Sequence, residues 1–466
     1  MGLSMCKSVA VMLVLVFLTA SLIMTAKPVS AATPVENSWT SKAPMHVARS
    51  DLGVAAVNGK IYAIGGNAEN GVVGTNEEYD PTTDTWTYKK AMPTPRHYFA
   101  TAVYQNKIYC IGGYINNGTV TGVNEVYDPA TDTWENKAPI PTIRIGLQAN
   151  VVNGKIYLIG GYPPAYYTSY NFSSSFLTLN EVYDPATDSW TTKAPMPTAA
   201  TYYASAVIDN KIYVIGGLLK SEDYTLNQIY DPTTDKWHLG APSTSITSYG
   251  AAGATTGVNA PKRIYLLRQD FSFREEPNIN RVYDPTTDTW KIGVPVPTER
   301  HGFGVAVAND LLYVIGGVTE TSRDFPDDWM YGPSVTLYAT NEQYTPFGYG
   351  TIPPAVHVVS PENQTYASGN ASLALTVNKP ALWLGYSLDG QDNVTITGNT
   401  TLGGLSNGLH NVTVYAKDEF ENVGASETIT FNVQEPFPAV PVAAASVATV
   451  AVVGVGLLVY FRKRNH

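Results

Sequence analysis

Arginine recurs at one position of a repeated sequence, which predicts that several cations lie near one another. The residues are Arg49, Arg96, Arg144 and Arg300. His97 and His301 follow two of them, and Tyr202 and Tyr249 stand near the same position in two other copies. If the copies surround an axis, the guanidinium groups converge on one rim and can hold a carboxylate or sulfate in bidentate geometry. The alternative, which the near-periodicity favours, is that each arginine only bonds carbonyls of the neighbouring copy.

Long segments rich in aromatic residues are the second candidate for recognition. Segments 162–179 and 318–338 have this character, and Trp329 lies in the second. Aromatic loops on a rigid scaffold commonly form recognition sites, and their ring faces suit sugars. We therefore predict a ligand-binding site formed by Arg49, Arg96, His97, Arg144, Tyr202, Tyr249, Arg268, Arg300, His301 and Trp329. The alternative is that the loops fold over each other as a lid.

The other candidates for catalysis have simpler explanations. Aspartate pairs such as Asp80 and Asp84 recur along the chain, and a residue required in every copy serves its turn. Cys110 occupies an apolar strand position, as a packed thiol does. The histidines show no metal-site spacing, and there is no Gly-x-Ser-x-Gly, P-loop or dinucleotide motif. We predict no catalytic residues, no metal and no cofactor.

The elements that would position these residues are short strands in a repeat of roughly 50 residues. Each copy has four apolar runs rich in Val, Ile and Tyr, bounded by Gly, Pro, Asn and Asp, which predict antiparallel strands. Four strands per copy at this period indicate a β-propeller. One tryptophan marks each outer strand and should pack between neighbouring copies: Trp39, Trp86, Trp134, Trp190, Trp237 and Trp290.

The tryptophan series begins one element early, which predicts how the ring closes. Trp39 precedes the first copy, whereas the last copy, ending near Tyr344, has no tryptophan at the corresponding place after it. We predict that the segment around Trp39 pairs with the strand leading to Tyr344. That pairing would protect an otherwise bare sheet edge.

These motifs resemble the Kelch repeat family over residues 33–347. The resemblance implies an all-β, six-bladed propeller, with strand a nearest the axis, strand d outermost, and partner binding on the face of the d–a and b–c loops. The fifth copy departs from the pattern because segment 264–269 has no diglycine and places Arg268 at a glycine position. Copper-radical galactose oxidases share this architecture, but the sequence does not offer the cysteine, tyrosine and histidine set of their cofactor.

The two ends of the chain predict a membrane-tethered protein with an extracytoplasmic N-terminal part. Residues 1–32 read as a secretory signal peptide, with an uncleaved anchor as the alternative. Residues 436–461 contain no charge and are long enough for a transmembrane helix, with a buried helix as the alternative. The cationic tail 462–466 then lies in the cytoplasm.

A second domain separates the predicted propeller from the predicted span. Residues 348–354 read as a linker, and residues 355–434 alternate apolar and polar positions, which favours an Ig-like β-sandwich stalk. The stalk resembles strands of archaeal and bacterial surface proteins but lacks the disulfide of antibody domains. Glycosylation sequons occur at Asn117, Asn171, Asn363, Asn370, Asn393, Asn399 and Asn411, and most fall in this domain.

Composition narrows the possible partners. The formal net charge of −10 weighs against nucleic acid. Of the two cysteines, Cys6 leaves with the predicted signal peptide, so the mature chain can form no internal disulfide. We expect a membrane-anchored surface protein that binds a carbohydrate or protein. The alternatives are a glycan-modifying or oxidising enzyme at the channel mouth and a structural component of the cell envelope.

Overall fold

The computed structural model describes residues 34–116, 118–164, 176–219, 224–245, 250–269, 278–321 and 334–436. The described chain is all-β, as predicted, and divides into a unit spanning Ala31–Ile352 and a second unit that begins at Pro353. In these ranges no helix has the length and apolar character needed to span a bilayer. The predicted signal peptide, and the predicted span beyond Pro436, lie outside the described residues.

Six four-stranded antiparallel sheets are found among the described residues of the first unit. In sheet 1, strands a to d are Gly53–Val57, Lys60–Ile64, Asn76–Asp80 and Thr85–Lys89. In sheet 2 they are Ala100–Tyr104, Lys107–Ile111, Asn124–Asp128 and Thr133–Lys137. In sheet 3 they are Ala149–Val152, Lys155–Ile159, Asn180–Asp184 and Ser189–Thr192. In sheet 4 they are Ala204–Ile208, Lys211–Ile215, Asn227–Asp231 and Lys236–Gly240. In sheet 5 they are Ala251–Ala254, Ile264–Gln269, Asn278–Asp284 and Thr289–Ile292. In sheet 6 they are Gly304–Ala308, Leu311–Ile315, Asn341–Thr345 and Ser38–Lys42.

Short strands from the connecting loops pair with one another at one end of these sheets. Arg49–Ser50 pairs with Asn67–Ala68, which pairs with Gly71–Val72; Ala200–Thr201 pairs with Leu218–Leu219; and Val318–Thr321 pairs with Ser334–Leu337. Single bridges join His97 to Tyr114 and His301 to Val318. The d–a and b–c loops of a sheet therefore meet at the same end, as the sequence predicted.

The local sequence explains the hairpins. Strands a and b of sheet 1 are joined by Asn58 and Gly59, whose φ angles are +51° and +76°. Two consecutive positive φ values define the tight hairpin turn that Asn-Gly favours. The following strand b is buried from Ile61 to Ile64, because both of its faces are covered by neighbouring sheets.

The sheets form a closed ring. Each of six apolar clusters joins one sheet to the next, including the cluster in which sheet 6 packs on sheet 1. Each strand a also contacts strand a of the following sheet, and strand a of sheet 6 contacts that of sheet 1. The first strands therefore surround a common axis, as in a β-propeller.

The predicted closure is confirmed. Strand Ser38–Lys42 pairs antiparallel with Asn341–Thr345, and Trp39 lies opposite Tyr344. The Trp39 indole donates to the carbonyl of Val294 in sheet 5 at 2.9 Å. The other five tryptophans make the same bond to the preceding sheet. Each outer strand is therefore tied to its neighbour.

The aspartate pairs serve the turns, as predicted. Asp84 accepts hydrogen bonds from the Tyr79 hydroxyl at 2.6 Å and from the amide of Ala43 in the preceding sheet at 2.8 Å. These bonds hold the pKa of Asp84 below its usual value, the Tyr79 bond being the larger cause. Asp80 caps the amide of Thr82 at 2.9 Å.

The second unit contains two sheets around one apolar core. A three-stranded sheet contains Val356–Ser360, Ala371–Val377 and Thr400–Leu402. A six-stranded sheet contains Thr365–Tyr366, Trp383–Leu388, Val394–Ile396, Gly408–Lys417, Val423–Ala425 and Ile429–Val433. Leu373 of the first sheet and Val412, Val414 and Phe431 of the second are fully buried in the shared cluster. The alternation noted in the sequence matches the buried positions of Gly408–Lys417.

Candidate functional site

The four repeated arginines are buried beneath the loop end of the ring. Arg49 and Arg96 are 0% exposed, and Arg144 and Arg300 are 1% exposed. Each pairs with a glutamate of strand c in its own sheet. The Nη1 atom of Arg49 donates to Glu77 at 2.5 Å, and that of Arg300 to Glu342 at 2.6 Å. Arg96 pairs with Glu125 and Arg144 with Glu181 in the same way.

The Nη donors of these guanidinium groups also bind backbone, whereas the Nε atoms of Arg49 and Arg96 are buried without a hydrogen-bond partner among the described residues. In each case Nη1 also donates to the carbonyl two residues earlier, and Nη2 donates to a carbonyl of strand b. Burial lowers the pKa of Arg49, Arg144 and Arg300, and the paired glutamate opposes this shift. The groups therefore join the d–a loop to strands b and c instead of presenting donors to a ligand at the rim.

The sequence favoured the alternative that each arginine only bonds carbonyls of the neighbouring copy, and the observed geometry is close to it, with one correction. The carbonyls that the arginines bind belong to the same sheet, not to the neighbouring one; Arg144, for example, bonds Leu158 and Gly160. An uncompensated guanidinium is too costly to bury, so each arginine needs a carboxylate within its own sheet.

The sequence contained a signal for this pairing. Every arginine-bearing sheet starts strand c with Asn-Glu, as at Glu77 and Glu181. Sheet 4 has Ala200 at the arginine position and Gln228 at the glutamate position, and sheet 5 has Arg281 at the glutamate position. The glutamate is thus absent where the arginine is absent. That coupling identifies the pair as a structural unit.

A cavity of about 530 Å³ lies at the loop end of the ring, where the six first strands begin. Every sheet contributes one residue at the equivalent position: Leu52, Phe99, Leu147, Tyr203, Ala251 and Phe303. The cavity is therefore centred on the ring axis. Its volume falls within the range of small-molecule sites, and its apolar floor is typical of them.

The residue before each of these has an unusual backbone conformation in five sheets. The φ angles are +55° at Asp51, +53° at Tyr98, +70° at Gly146, +52° at Tyr202 and +61° at Gly302. Hydrogen bonds link these residues around the axis: the amide of Asp51 donates to Gly302, that of Tyr98 to Asp51 and that of Tyr202 to Gly146. The left-handed conformation is easy for glycine but costs a bulky side chain about 1 kcal/mol or more.

Tyr98 and Tyr202 form an aromatic wall on one side of the cavity. Their ring centroids are 6.1 Å apart at 75°, although they belong to sheets 2 and 4. Gly146 of sheet 3 lies between them, and a Cβ there would meet Thr201 Oγ1 at 2.1 Å. His97 and Tyr114 extend the wall behind Tyr98, and the Tyr162 hydroxyl lies 2.8 Å from that of Tyr202. The rings are thus supported from behind.

The polar groups of the cavity are few. Asp51 is half-buried, and its Oδ2 accepts a hydrogen bond from Ser50 Oγ at 2.8 Å. Gln148 Oε1 accepts from the amide and the hydroxyl of Ser205, both at 3.0 Å, so its Nε2 remains as the donor for a ligand. Burial lowers the pKa of His301 to about 4, so this imidazole is neutral near pH 7. Burial also lowers the pKa of His97.

The predicted site residues are thus only partly brought together. Tyr202 and His301 line the cavity, and His97 stands behind Tyr98. Arg268 pairs with Ile279 inside sheet 5. Tyr249 and Trp329 lie outside the described residues. Sequence reasoning missed Asp51, Tyr98 and Gln148; their position two to four residues after the repeated arginine could have pointed to them.

The structure describes five of the seven predicted glycosylation sequons. Asn117 and Asn171 lie outside the described residues. The other five are exposed: Asn363, Asn370, Asn393, Asn399 and Asn411. Cys110 is fully buried, and desolvation raises the pKa of its thiol to about 12, so it is unreactive near neutral pH.

The fold and the repeats define the first unit as a β-propeller built from Kelch-type repeats. The Attractin/LZTR1 beta-propeller family profile matches residues 61–258. The chain is 27% identical over 143 residues to the Kelch-like protein terF of Aspergillus terreus, covering 29% of this chain and 31% of that protein. It is 38% identical over 91 residues to Halomucin of Haloquadratum walsbyi, covering 18% of this chain and 1% of that protein.

Among solved structures, YjhT is similar, with 18% identity and a TM-score of 0.49 over 63% of this chain and 99% of that one. The match to Halomucin and the match to the Kelch-like protein terF each span less than a third of the length of that relative. The propeller fold predicted from the sequence is confirmed by the closed ring of sheets, and the family profile and the Kelch-like relative support the Kelch repeats.

Proposed function

We propose that this chain is a membrane-anchored surface protein whose six-bladed propeller binds a carbohydrate or protein ligand at its axial cavity. The observation that carries the proposal is the wall formed by Tyr98 and Tyr202. Both rings stand on left-handed backbone, where glycine would be less strained. A fold that keeps bulky residues in a costly conformation at the mouth of a cavity is consistent with selection for ligand contact.

The rest of the chain fits presentation of this cavity outside the cell. In the proposal, an Ig-like stalk and a C-terminal helix hold the propeller off the membrane, and a cleaved signal peptide directs it there. The exposed sequons of the second unit support surface glycosylation. The four arginines are not part of the proposed binding site, because they are buried and their Nη atoms bond glutamates and carbonyls.

The test uses the full chain in detergent on an array of glycans, with every hit measured for saturable binding and for chemical change of the glycan. The proposal expects saturable binding without product, and loss of that binding in Y98G and Y202G. Binding that both variants retain would place the site elsewhere. Turnover of the glycan would instead favour the enzymatic alternative.

A further inference from the structure

We propose that Asn393 carries an N-linked glycan whose first sugar ring packs on the indole of Trp383. This inference rests on the part of the proposed function that places the second unit outside the cell. It names one modification site there and the side chain that receives the sugar. It depends on the position of the indole, on the sequon beside it and on the sheet edge that lies next to both.

The indole of Trp383 lies along the outer face of the six-stranded sheet. Leu384 is opposite Ala416, which is fully buried and so marks the core face. The neighbours Trp383 and Gly385 therefore point to the other face. The indole Nε1 donates to Thr395 Oγ1 at 3.0 Å, and a Cβ on Gly385 would meet the ring at 2.4 Å. The side chain is only half-buried, so part of the ring is open to a ligand.

A glycosylation sequon lies beside this ring. Its residues are Asn393, Val394 and Thr395, and Thr395 is the residue that accepts the bond from the indole. The strand Val394–Ile396 begins at the second of them, and continuing its alternation by one residue puts Asn393 on the face of Thr395. Residues two apart in a strand are separated by about 7 Å, which one pyranose ring can bridge. A sugar on Asn393 is therefore within reach of Trp383.

The side chain of Asn393 can carry a sugar without loss of a native contact. It is exposed, and in the described part of the chain it makes no hydrogen bond. Two other sequon side chains are held in place. Asn399 Oδ1 accepts from the amide of Leu375 at 3.0 Å. Asn411 Oδ1 accepts from the Thr430 hydroxyl at 2.7 Å.

The covalent step is the ordinary chemistry of N-glycosylation. Nδ2 of Asn393 bonds to C1 of a sugar activated as a phosphate ester. The C1–O bond to the phosphate breaks, the phosphate leaves with the bonding electrons, and Nδ2 loses one proton. The C–H groups on one face of the attached ring carry partial positive charge, and they pack on the negative face of an aromatic ring such as that of Trp383.

The glycan would protect an edge of the sheet. Val394–Ile396 is the last strand in the order of the six-stranded sheet and pairs with Trp383–Leu388. Val394 in this strand is 48% exposed. An open edge of this kind is a template for pairing with another chain, and covering the edge prevents such pairing. A sugar held over this hairpin by Trp383 would supply that cover.

The experiment compares the native full chain with N393Q produced in the same cells. Mass spectrometry of glycopeptides first determines whether Asn393 is occupied. Hydroxyl-radical footprinting then measures the oxidation rate of Trp383 in both proteins. We expect a rate at least about twofold lower in the glycosylated chain, because a stacked sugar covers one face of the indole. The exposed Tyr88 of the propeller should be oxidised at the same rate in both proteins.

Further variants separate the sugar contact from the cover that the indole gives Gly385, since an aromatic ring over a strand glycine stabilises a sheet by itself. N370Q removes the sequon beside Ala371–Val377 in the other sheet and should leave the oxidation of Trp383 unchanged. Loss of the glycan in N393Q should lower the unfolding temperature of the second unit by about 4 °C. In a W383L background the same loss should lower it by less than about 1 °C, because no ring receives the sugar. W383F keeps a ring and should preserve the shift.

The possible failures are distinguishable. Glycans on other sequons but none on Asn393 would overturn this inference and leave the proposed function standing. A glycan on Asn393 that leaves Trp383 as readily oxidised as in N393Q would overturn the packing. If no sequon of the chain is modified, this inference fails together with surface glycosylation, whereas ligand binding at the axial cavity is decided separately by Y98G and Y202G.

Discussion

The buried pair of Arg144 and Glu181 allows a stringent test of the structural role of the arginines. In Arg144→Ala, Glu181 keeps the hydroxyl of Thr142 at 2.8 Å but loses its cation. The carbonyls of Leu158 and Gly160 lose their donors as well. Removing one partner of a buried ion pair typically costs about 3–5 kcal/mol of folding free energy. For an m value of about 3 kcal/mol/M, the urea midpoint should fall by about 1–2 M.

The chain itself supplies the compensating change. Sheet 4 has Ala200 and Gln228 in the two equivalent positions, and the Gln228 amide bonds Thr198 at 3.0 Å without any cation. The double variant R144A/E181Q reproduces that arrangement in sheet 3. We expect it to recover at least half of the lost free energy, because glutamine leaves no buried charge.

The assay is equilibrium unfolding in urea, followed by tryptophan fluorescence. Lys155→Ala is the matched control, since Lys155 pairs with Asp184 at 2.6 Å on the surface of the same sheet. An exposed pair of this kind contributes about 0–1 kcal/mol. If R144A unfolds at the same urea concentration as K155A, or if E181Q does not rescue it, the reasoning is refuted and the arginine returns as a candidate for ligand binding.

Three further predictions concern the closure of the ring, the protonation of His301 and the sequons of the second unit. Deleting residues 34–42 removes the strand opposite Asn341–Thr345 and should lower the thermal unfolding temperature sharply; an unchanged temperature would contradict closure. The pKa of about 4 for folded His301, below its usual 6.5, means that the unfolded chain binds more protons between these values. Stability should therefore fall as the pH drops from 6.5 to 4, and His301→Gln should fall less; equal slopes would refute the assignment. Mass spectrometry of the native protein should find glycans on the exposed sequons of the second unit, and an unmodified unit would remove that proposal.

Periodic residues made the fold predictable from sequence. Trp39, Trp86 and their equivalents recur because every sheet needs the same bond to its neighbour. The absence of a tryptophan at the corresponding place after Tyr344 was enough to predict that Ser38–Lys42 pairs with Asn341–Thr345. A residue that makes the same contact in every sheet recurs with the period of the sheets, so the sequence alone reveals it.

The site was less predictable because its residues differ from sheet to sheet. The arginines were the periodic residues at the loop end, and periodicity could not show whether they faced a ligand or the core. The burial of the arginine side chains shows that they face the core, and that burial depends on their pairing with Glu77 and its equivalents. The left-handed backbone at Tyr98 and Tyr202 was also hidden, because the sequence does not reveal the sign of φ at a residue other than glycine.

The most direct measurement for the central claim is a titration of the wild-type chain and the double variant Y98G/Y202G with the tightest ligand found. Our account predicts that the variant folds, with an unfolding temperature close to that of wild type, because glycine relieves the strained backbone at both positions. It also predicts that the variant no longer binds. A folded double variant with undiminished affinity would contradict the claim that the axial cavity is the binding site.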